Sequence, residues 1–357
     1  MPEIIKLPGV CDMHVHLREP GASHKEDWFT GTSAAVAGGV VAVVDMPNTN
    51  PPTFTLERLQ EKEGIAAHKA VCDYGFYLGS DGKNVGEFEK AYSRVFGLKL
   101  YLNETTGSLI IEDKKVLEEI FRAWPRGKPI LVHAEGDALA RAISLASHYS
   151  QRLHCCHVAS LEDIERVAEA KRARLPVTCE VAPQHLFLTQ KDVERLGPFA
   201  MMKPELGDEG DRQALWEHVR LKTVDCIATD HAPHTRDEKS SGRARWGVPG
   251  LETSLPLMLT AADEGIVSVG DVQRLMCDNP YAILGIAPDG DTYVEVERGS
   301  YCIEEGELKT KCGWSPFTGL SVTARVIRTV IRGTEVFGGG KITAAAGFGR
   351  ALLGSKN

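Results

Sequence analysis

"CDMHVHLREPG", residues 11–21, closes an apolar run on two histidines at alternate positions and then turns through Arg-Glu-Pro-Gly. Side chains alternate faces along an extended strand, so His14 and His16 project to one side and can reach a common ion. Two core histidines bonded to carbonyls would satisfy the same pattern. What separates the two readings is where the other apolar runs of the chain end.

Including this one, eight strand-length apolar runs occur, at 10–15, 40–46, 73–78, 95–102, 129–134, 153–158, 176–181 and 224–231. Between them lie amphipathic stretches such as "TLERLQEKEGIAAHKA", "KKVLEEIFRAW" and "LEDIERVAEAKRA". Ser160 with Asp163, and Thr189 with Asp192, have the spacing of capping boxes at helix N-termini. Eightfold strand–helix alternation predicts an α/β fold, a (β/α)8 TIM barrel. A doubly wound sheet usually stops at five or six strands and carries a glycine-rich phosphate loop, and neither GxGxxG nor a P-loop sequence is present.

Beyond about residue 286 the pattern changes to alternating apolar residues and Gly turns, as in "DTYVEVERGSYCIEEGELKT" and "TARVIRTVIRGTEVFGGGKI". This predicts a small appended β-subdomain formed by the chain termini, to which "EIIKLPG" adds a strand. The expected division is a barrel over 9–285 and an appendage of 1–8 plus 286–357.

The 357 residues carry 41 basic and 49 acidic side chains, a net charge of −8, with no dense Lys/Arg block. That argues against a nucleic-acid partner and for a small-molecule one. With no basic-then-apolar leader at the N-terminus and no apolar stretch long enough to span a bilayer, the expectation is a cytoplasmic protein with no membrane role. Nine cysteines, an odd count lying mostly in apolar segments, read as reduced thiols, with Cys156 the one exception considered below.

In a barrel of this kind chemistry sits at the C-terminal ends of the strands. His14 and His16 close the first run, Asn48 follows the second, and Lys99 lies late in the fourth. His133, His157, Glu180 and Asp230 fall late in the fifth to eighth. Lys99, flanked by two leucines, could snorkel to a rim carboxylate. Alternatively a neutral amine there could add carbon dioxide and become an anionic carbamate bridging two metals. One strand-end histidine is ordinarily core; several, added to the HxH and the Lys, argue for a metal centre. The N/O donor set suits zinc, and two ions sharing a carbamate would polarise a carbonyl and lower the pKa of a bridging water.

Taken together, "DMHVHLREPG", "DMPNTNPP", "GLKLYLNET", "VHAE", "CHVAS", "TCEVAPQHL" and "TDHAPHT…GLET" resemble the dihydroorotases of the cyclic amidohydrolase superfamily. The likeness is greatest to the dihydroorotase domain of the animal multifunctional pyrimidine-synthesis polypeptide. It implies reversible cyclisation of N-carbamoyl-L-aspartate to L-dihydroorotate, with one zinc on His14, His16, Lys99 and Asp230 and another on carboxylated Lys99, His133 and His157. It also implies Asp230 as general acid–base, and Arg18, Asn48 and His234 as grips on the substrate carboxylate and ring. The same resemblance implies backbone contacts from Gly247 and a mobile loop that closes through Thr105. Cys156 and Glu180 with His14 match a third zinc site, or else a buried thiol and a carboxylate that orients His14. Departures from the animal pattern are Thr106 for Phe, Lys203 for a substrate-side Arg, Gln184 for a His, and Trp246 for a Pro. The resemblance further implies a homodimer or a place in a larger polypeptide. The competing readings are another cyclic amidohydrolase (dihydropyrimidinase, hydantoinase or allantoinase) and a catalytically dead scaffold domain that retains the barrel.

Overall fold

The structure is a computed structural model describing residues 3–105, 109–243, 245–287 and 289–353. After a first strand β1 (Ile4–Pro8), the barrel strands are β2 (Val10–Val15), β3 (Val40–Asp45), β4 (Asp73–Phe76) with its continuation β5 (Leu78–Gly79), β6 (Leu98–Tyr101), β7 (Ile130–His133), β8 (Leu153–Cys155), β9 (Val177–Val181) and β10 (Cys226–Ile227). All neighbours among these pair in parallel. The ring closes through a parallel bridge from Val15 to His231, where the His16 N–H donates to the His231 carbonyl at 2.8 Å. Helices between successive strands, among them Trp28–Ala37, Leu56–Lys69, Lys114–Ala123, Gly136–Tyr149, Leu161–Arg172 and Glu209–Arg220, complete a (β/α)8 barrel.

The eight apolar runs each hold a strand, and several strands are shorter than their runs. At the eighth, the physical cause is Asp12. Its buried carboxylate accepts the Thr229 N–H at 3.2 Å and the His14 N–H at 3.1 Å, so a side chain replaces the ladder where the run 224–231 would otherwise keep pairing. In the fourth run, Val95 and Phe96 precede the strand and are apolar because they are buried.

The helices follow their patterns. In Lys114–Ala123, Leu117, Ile120 and Phe121 are buried at i, i+3 and i+4, and Asp113 accepts the Lys115 N–H at 2.8 Å as N-cap. Only half of the first capping box forms. Ser160 accepts the Asp163 N–H, but the Asp163 carboxylate turns away to the Gly136 N–H at 3.0 Å and Arg166 at 2.8 Å. At the second, the Asp192 carboxylate accepts the Thr189 N–H at 2.9 Å.

Cys11, Met13, Ala42, Val44, Tyr77, Leu131 and Cys226 fill the barrel interior below the rim, and the Tyr77 hydroxyl donates across it to the Met13 carbonyl at 3.0 Å. The larger apolar shell lies between strands and helices. β1 joins an antiparallel sheet with β11 (Tyr293–Cys302), β12 (Ser321–Ile331), β13 (Thr334–Gly338) and β14 (Lys341–Ile342) in the order β1-β11-β12-β13-β14. The terminal appendage of the sequence reading is this sheet. All nine cysteines are free. Among the described residues no helix is long and apolar enough to cross a membrane.

Candidate active site

Period-two alternation carries His14 and His16 to the barrel mouth, where their ring centroids are 5.3 Å apart. His157 comes within 5.2 Å of His14, and His133 within 4.7 Å of His157. Asp230 lies between the arms, its Oδ1 2.9 Å from His16 Nε2 and 3.3 Å from His14 Nε2. Lys99 is fully buried beside them, with Nζ 2.9 Å from Cys156 Sγ. Three non-glycine residues at this rim hold left-handed backbone, Arg18 (φ 64°), His157 (φ 33°) and Asp230 (φ 47°), a strain that clusters at functional sites.

Arg18, Asn48, Thr105, Lys203 and Gly247 line one pocket with His14, His16, Lys99, His133, His157 and Asp230. Gly247 has φ 133°, and a Cβ there would meet the Ala232 carbonyl at 2.4 Å, so backbone alone can face the pocket at that position. Thr106 lies outside the described residues. Cys156 and Glu180 sit beneath the pocket wall. Glu180 Oε1 pairs closely with His14 Nδ1 and accepts the His157 N–H at 3.2 Å, and Oε2 lies 3.0 Å from His154 Nε2. His234 is placed behind Arg18 rather than in the wall. Its Nε2–H donates to the Trp246 carbonyl at 3.1 Å, leaving Nδ1 to accept from Lys25 Nζ at 3.2 Å. Gln184 is buried and donates to the Thr229 carbonyl at 3.2 Å.

Electrostatics hold His133 and His157 as neutral, ligand-ready imidazoles and hold His14 protonated against Glu180. Burial, then the nearby Lys99 charge, pushes His133 down to about 3. Burial and His133 carry His157 well below the ordinary value. For His14 the burial penalty is overcome by Glu180, which raises it to about 10. Asp230 resists burial through His14 and His16 and stays far below the usual carboxylate range. Burial, then Arg18 and Lys25, holds His234 down at about 2, as a neutral ring.

Around His16 and His157 lone pairs outnumber protons. His16, lowered chiefly by burial, is neutral and has one N–H, yet it faces Asn48 Oδ1 at 2.7 Å and Asp230 Oδ1 at 2.9 Å. His133 Nδ1 and His157 Nε2 face each other at 2.9 Å, and the buried His157 Nδ1 has no partner. A bound cation relieves that imbalance. His14, His157 and Asp230 form one group able to hold a metal ion, and His14, Cys156 and Glu180 another. The residues present therefore fit a metal centre.

Some members were missed in the sequence. Tyr101 lines the pocket, and it was legible, since it stands two residues after Lys99 and so on the same face. Asp45 accepts the Leu17 N–H at 2.7 Å and pairs closely with buried Lys62, which also donates to the Met46 carbonyl at 2.8 Å. The Lys62–Asp45 pair thus holds the starts of both the Arg18 and Asn48 loops. Lys62 lies in a helix full of charges, and nothing local marks it as buried.

Residues 4–94 match the dihydro-orotase-like family model. The chain is 44% identical over 98% of its length to a multifunctional protein of Dictyostelium discoideum, and 41% identical, again over 98%, to the multifunctional protein CAD of Squalus acanthias. It spans 16% of the length of each. To the dihydroorotase of Pyrococcus abyssi it is 36% identical, covering 93% of this chain and 83% of that one. The chain belongs to the dihydroorotase family. As a dihydroorotase-family barrel it superposes on the L-hydantoinase of Arthrobacter aurescens with a TM-score of 0.93 at 26% identity, covering 99% and 89% of the two chains. It also superposes on the inactive dihydroorotase-like domain of a Chaetomium thermophilum CAD-like multifunctional protein, with a TM-score of 0.83 at 25% identity, covering 98% and 99%.

Proposed function

We propose that this chain is a zinc-dependent dihydroorotase, catalysing the reversible cyclisation of N-carbamoyl-L-aspartate to L-dihydroorotate in pyrimidine biosynthesis. The observation that carries the reading is the convergence of Arg18 and Asn48 with the His14, His16, Lys99, His133, His157 and Asp230 set on one pocket. A guanidinium in a pocket wall matches a substrate that bears a carboxylate; an uncharged dihydropyrimidine or hydantoin ring has no use for it. A scaffold domain has no need of the complete ligand set.

In this reading His14, His16, Lys99 and Asp230 would hold one zinc, and Lys99, carboxylated by carbon dioxide, would hold a second with His133 and His157. His14, Cys156 and Glu180 would hold a third. The metal pair, when bound, supplies Lewis acidity towards the reacting carbonyl. Arg18 and Asn48 orient the substrate through its carboxylate, with Gly247, Lys203 and Thr105 closing around the ring. His234 supports Arg18 from behind. Asp230, kept anionic by its histidines, takes a proton from the attacking water and delivers it to the ring nitrogen as the amide C–N bond breaks. In the synthetic direction it accepts the proton of the carbamoyl nitrogen as that nitrogen bonds to the side-chain carboxyl carbon and water departs.

The barrel over 9–285 and an appendage of 1–8 plus 286–357 are the working units of this proposal, acting in the cytoplasm as a homodimer or within a larger multifunctional polypeptide. The test is to strip the purified chain of metal and reload it with zinc and bicarbonate. Turnover of dihydroorotate with at least two zinc ions per chain, lost in Asp230→Ala, supports the reading; fewer than two zinc ions, or no turnover, sinks it.

A further inference from the structure

Lys239 lies on the short helix Arg236–Ser240 and is 1% exposed. Its ammonium donates to three carbonyls: Met201 at 2.9 Å, Arg245 at 2.8 Å and Gly247 at 3.0 Å. An ammonium has three N–H donors, so its capacity is filled. Among the described residues no carboxylate lies within ion-pair distance of it. Burying such a charge is unfavourable, and burial, then Arg18, lowers Lys239 from 10.5 to about 7; backbone carbonyls from two loops stand in for its hydration.

Those loops are the ones that bring Lys203 and Gly247 to the pocket, and they also meet directly, the Gly247 N–H donating to the Met201 carbonyl at 3.0 Å. Beneath Lys239 lies Trp314, buried, with its ring centroid 5.5 Å from the ammonium. The Trp314 indole N–H donates to the His234 carbonyl at 2.8 Å. One buried pair thus reaches the Met201–Lys203 segment, the Arg245–Gly247 segment and His234. None of the candidate metal ligands is among its hydrogen-bond partners.

We propose that Lys239, seated on Trp314, is a positioning residue for substrate binding: it sets the two loops that present Lys203 and Gly247, and acts on no reacting atom. The inference rests on the reading of that pocket as the dihydroorotate site. Removing the ammonium leaves the Arg245 and Gly247 carbonyls without this donor and the Met201 carbonyl with only the Gly247 N–H, and the loops must move to find others.

The test compares Lys239→Met and Trp314→Phe with the zinc-loaded parent. Lys239→Met should raise KM for dihydroorotate at least tenfold with kcat within about threefold and the zinc content unchanged. Trp314→Phe, which keeps an aromatic ring but loses the indole N–H together with the volume of the five-membered ring, should move KM the same way by a smaller factor; it carries the test if Lys239→Met does not fold. Amide hydrogen exchange gives a readout independent of turnover. The Gly247 amide should exchange at least tenfold faster in Lys239→Met, while amides of β7 (Ile130–His133) do not change. Unchanged KM and unchanged Gly247 exchange overturn the proposal, as does a parallel loss of kcat, KM and zinc. A parent that exchanges as expected but does not turn over dihydroorotate refutes the activity reading and leaves the exchange result to decide the role of Lys239.

Discussion

The amine of Lys99 faces the thiol of Cys156 at 2.9 Å inside a fully buried pocket floor, with no carboxylate of the described residues in hydrogen-bond contact. A lysine at the end of an interior strand with a sulfur neighbour is poorly explained as a salt bridge, and it is placed well for conversion to a carbamate. Carbon-13-labelled bicarbonate should therefore give a carbamate resonance in the zinc-loaded chain that is absent in Lys99→Ala. The same variant should lose about a thousandfold or more in kcat, since on the proposed reading one change removes a ligand shared by two metals. A carbamate signal of equal strength in Lys99→Ala would remove Lys99 from the proposal.

Arg18 is held by its own Nε–H, which donates to the Pro233 carbonyl at 3.0 Å, so its remaining nitrogens are aimed by the backbone. Lysine cannot reproduce that fork. Arg18→Lys should lower kcat/KM for dihydroorotate by roughly 10- to 100-fold, chiefly through KM. An unchanged KM in steady-state kinetics would take the substrate grip away from Arg18.

Lys62 and Asp45 form a buried ion pair that anchors the Leu17 and Met46 backbones. Lys62→Met leaves the Asp45 charge uncompensated and should destabilise the chain by roughly 3–5 kcal/mol in denaturant unfolding. A double variant, Asp45→Asn with Lys62→Met, should recover part of that loss. If the single variant is as stable as the parent, the pair has no anchoring role.

Glu252 accepts the Lys309 N–H at 2.7 Å and the Thr310 N–H at 3.0 Å, yet burial, reinforced by Glu26, raises it from the ordinary 4.5 to about 7. Between those values the folded chain binds more protons at this site than the unfolded chain. Its contribution to stability is therefore present below about pH 4.5 and is lost as pH rises through about 7. Glu252→Gln, which resembles the protonated acid, should raise Tm by a few degrees at pH 8 and do little at pH 5. The reverse ordering in calorimetry would contradict the assignment.

How legible all this was depends on the reach of the interaction. The first barrel strand was readable to the residue, Val10–Val15, because alternation and apolar content are local properties, and His14, His16 and Tyr101 follow from the same period. The short eighth strand was not, because its pairing is cut by the Asp12 carboxylate, more than two hundred positions away. Lys239 and Lys62 were invisible for the same reason. A lysine in a charged helix reads as solvated, and only the tertiary fold brings carbonyls from distant loops, or Asp45, to its ammonium. His234 marks an intermediate case: the motif identified the residue, but its place behind Arg18 and its contact with Lys25 belong to the fold.

A pocket that opens a ring bearing a carboxylate must favour dihydroorotate over dihydrouracil, and the ratio of kcat/KM for the two rings measures that preference. With zinc and bicarbonate present, a ratio of at least about a hundred is expected, because only the first ring can engage Arg18. Equal rates on the two rings, or a preference for dihydrouracil, would contradict it.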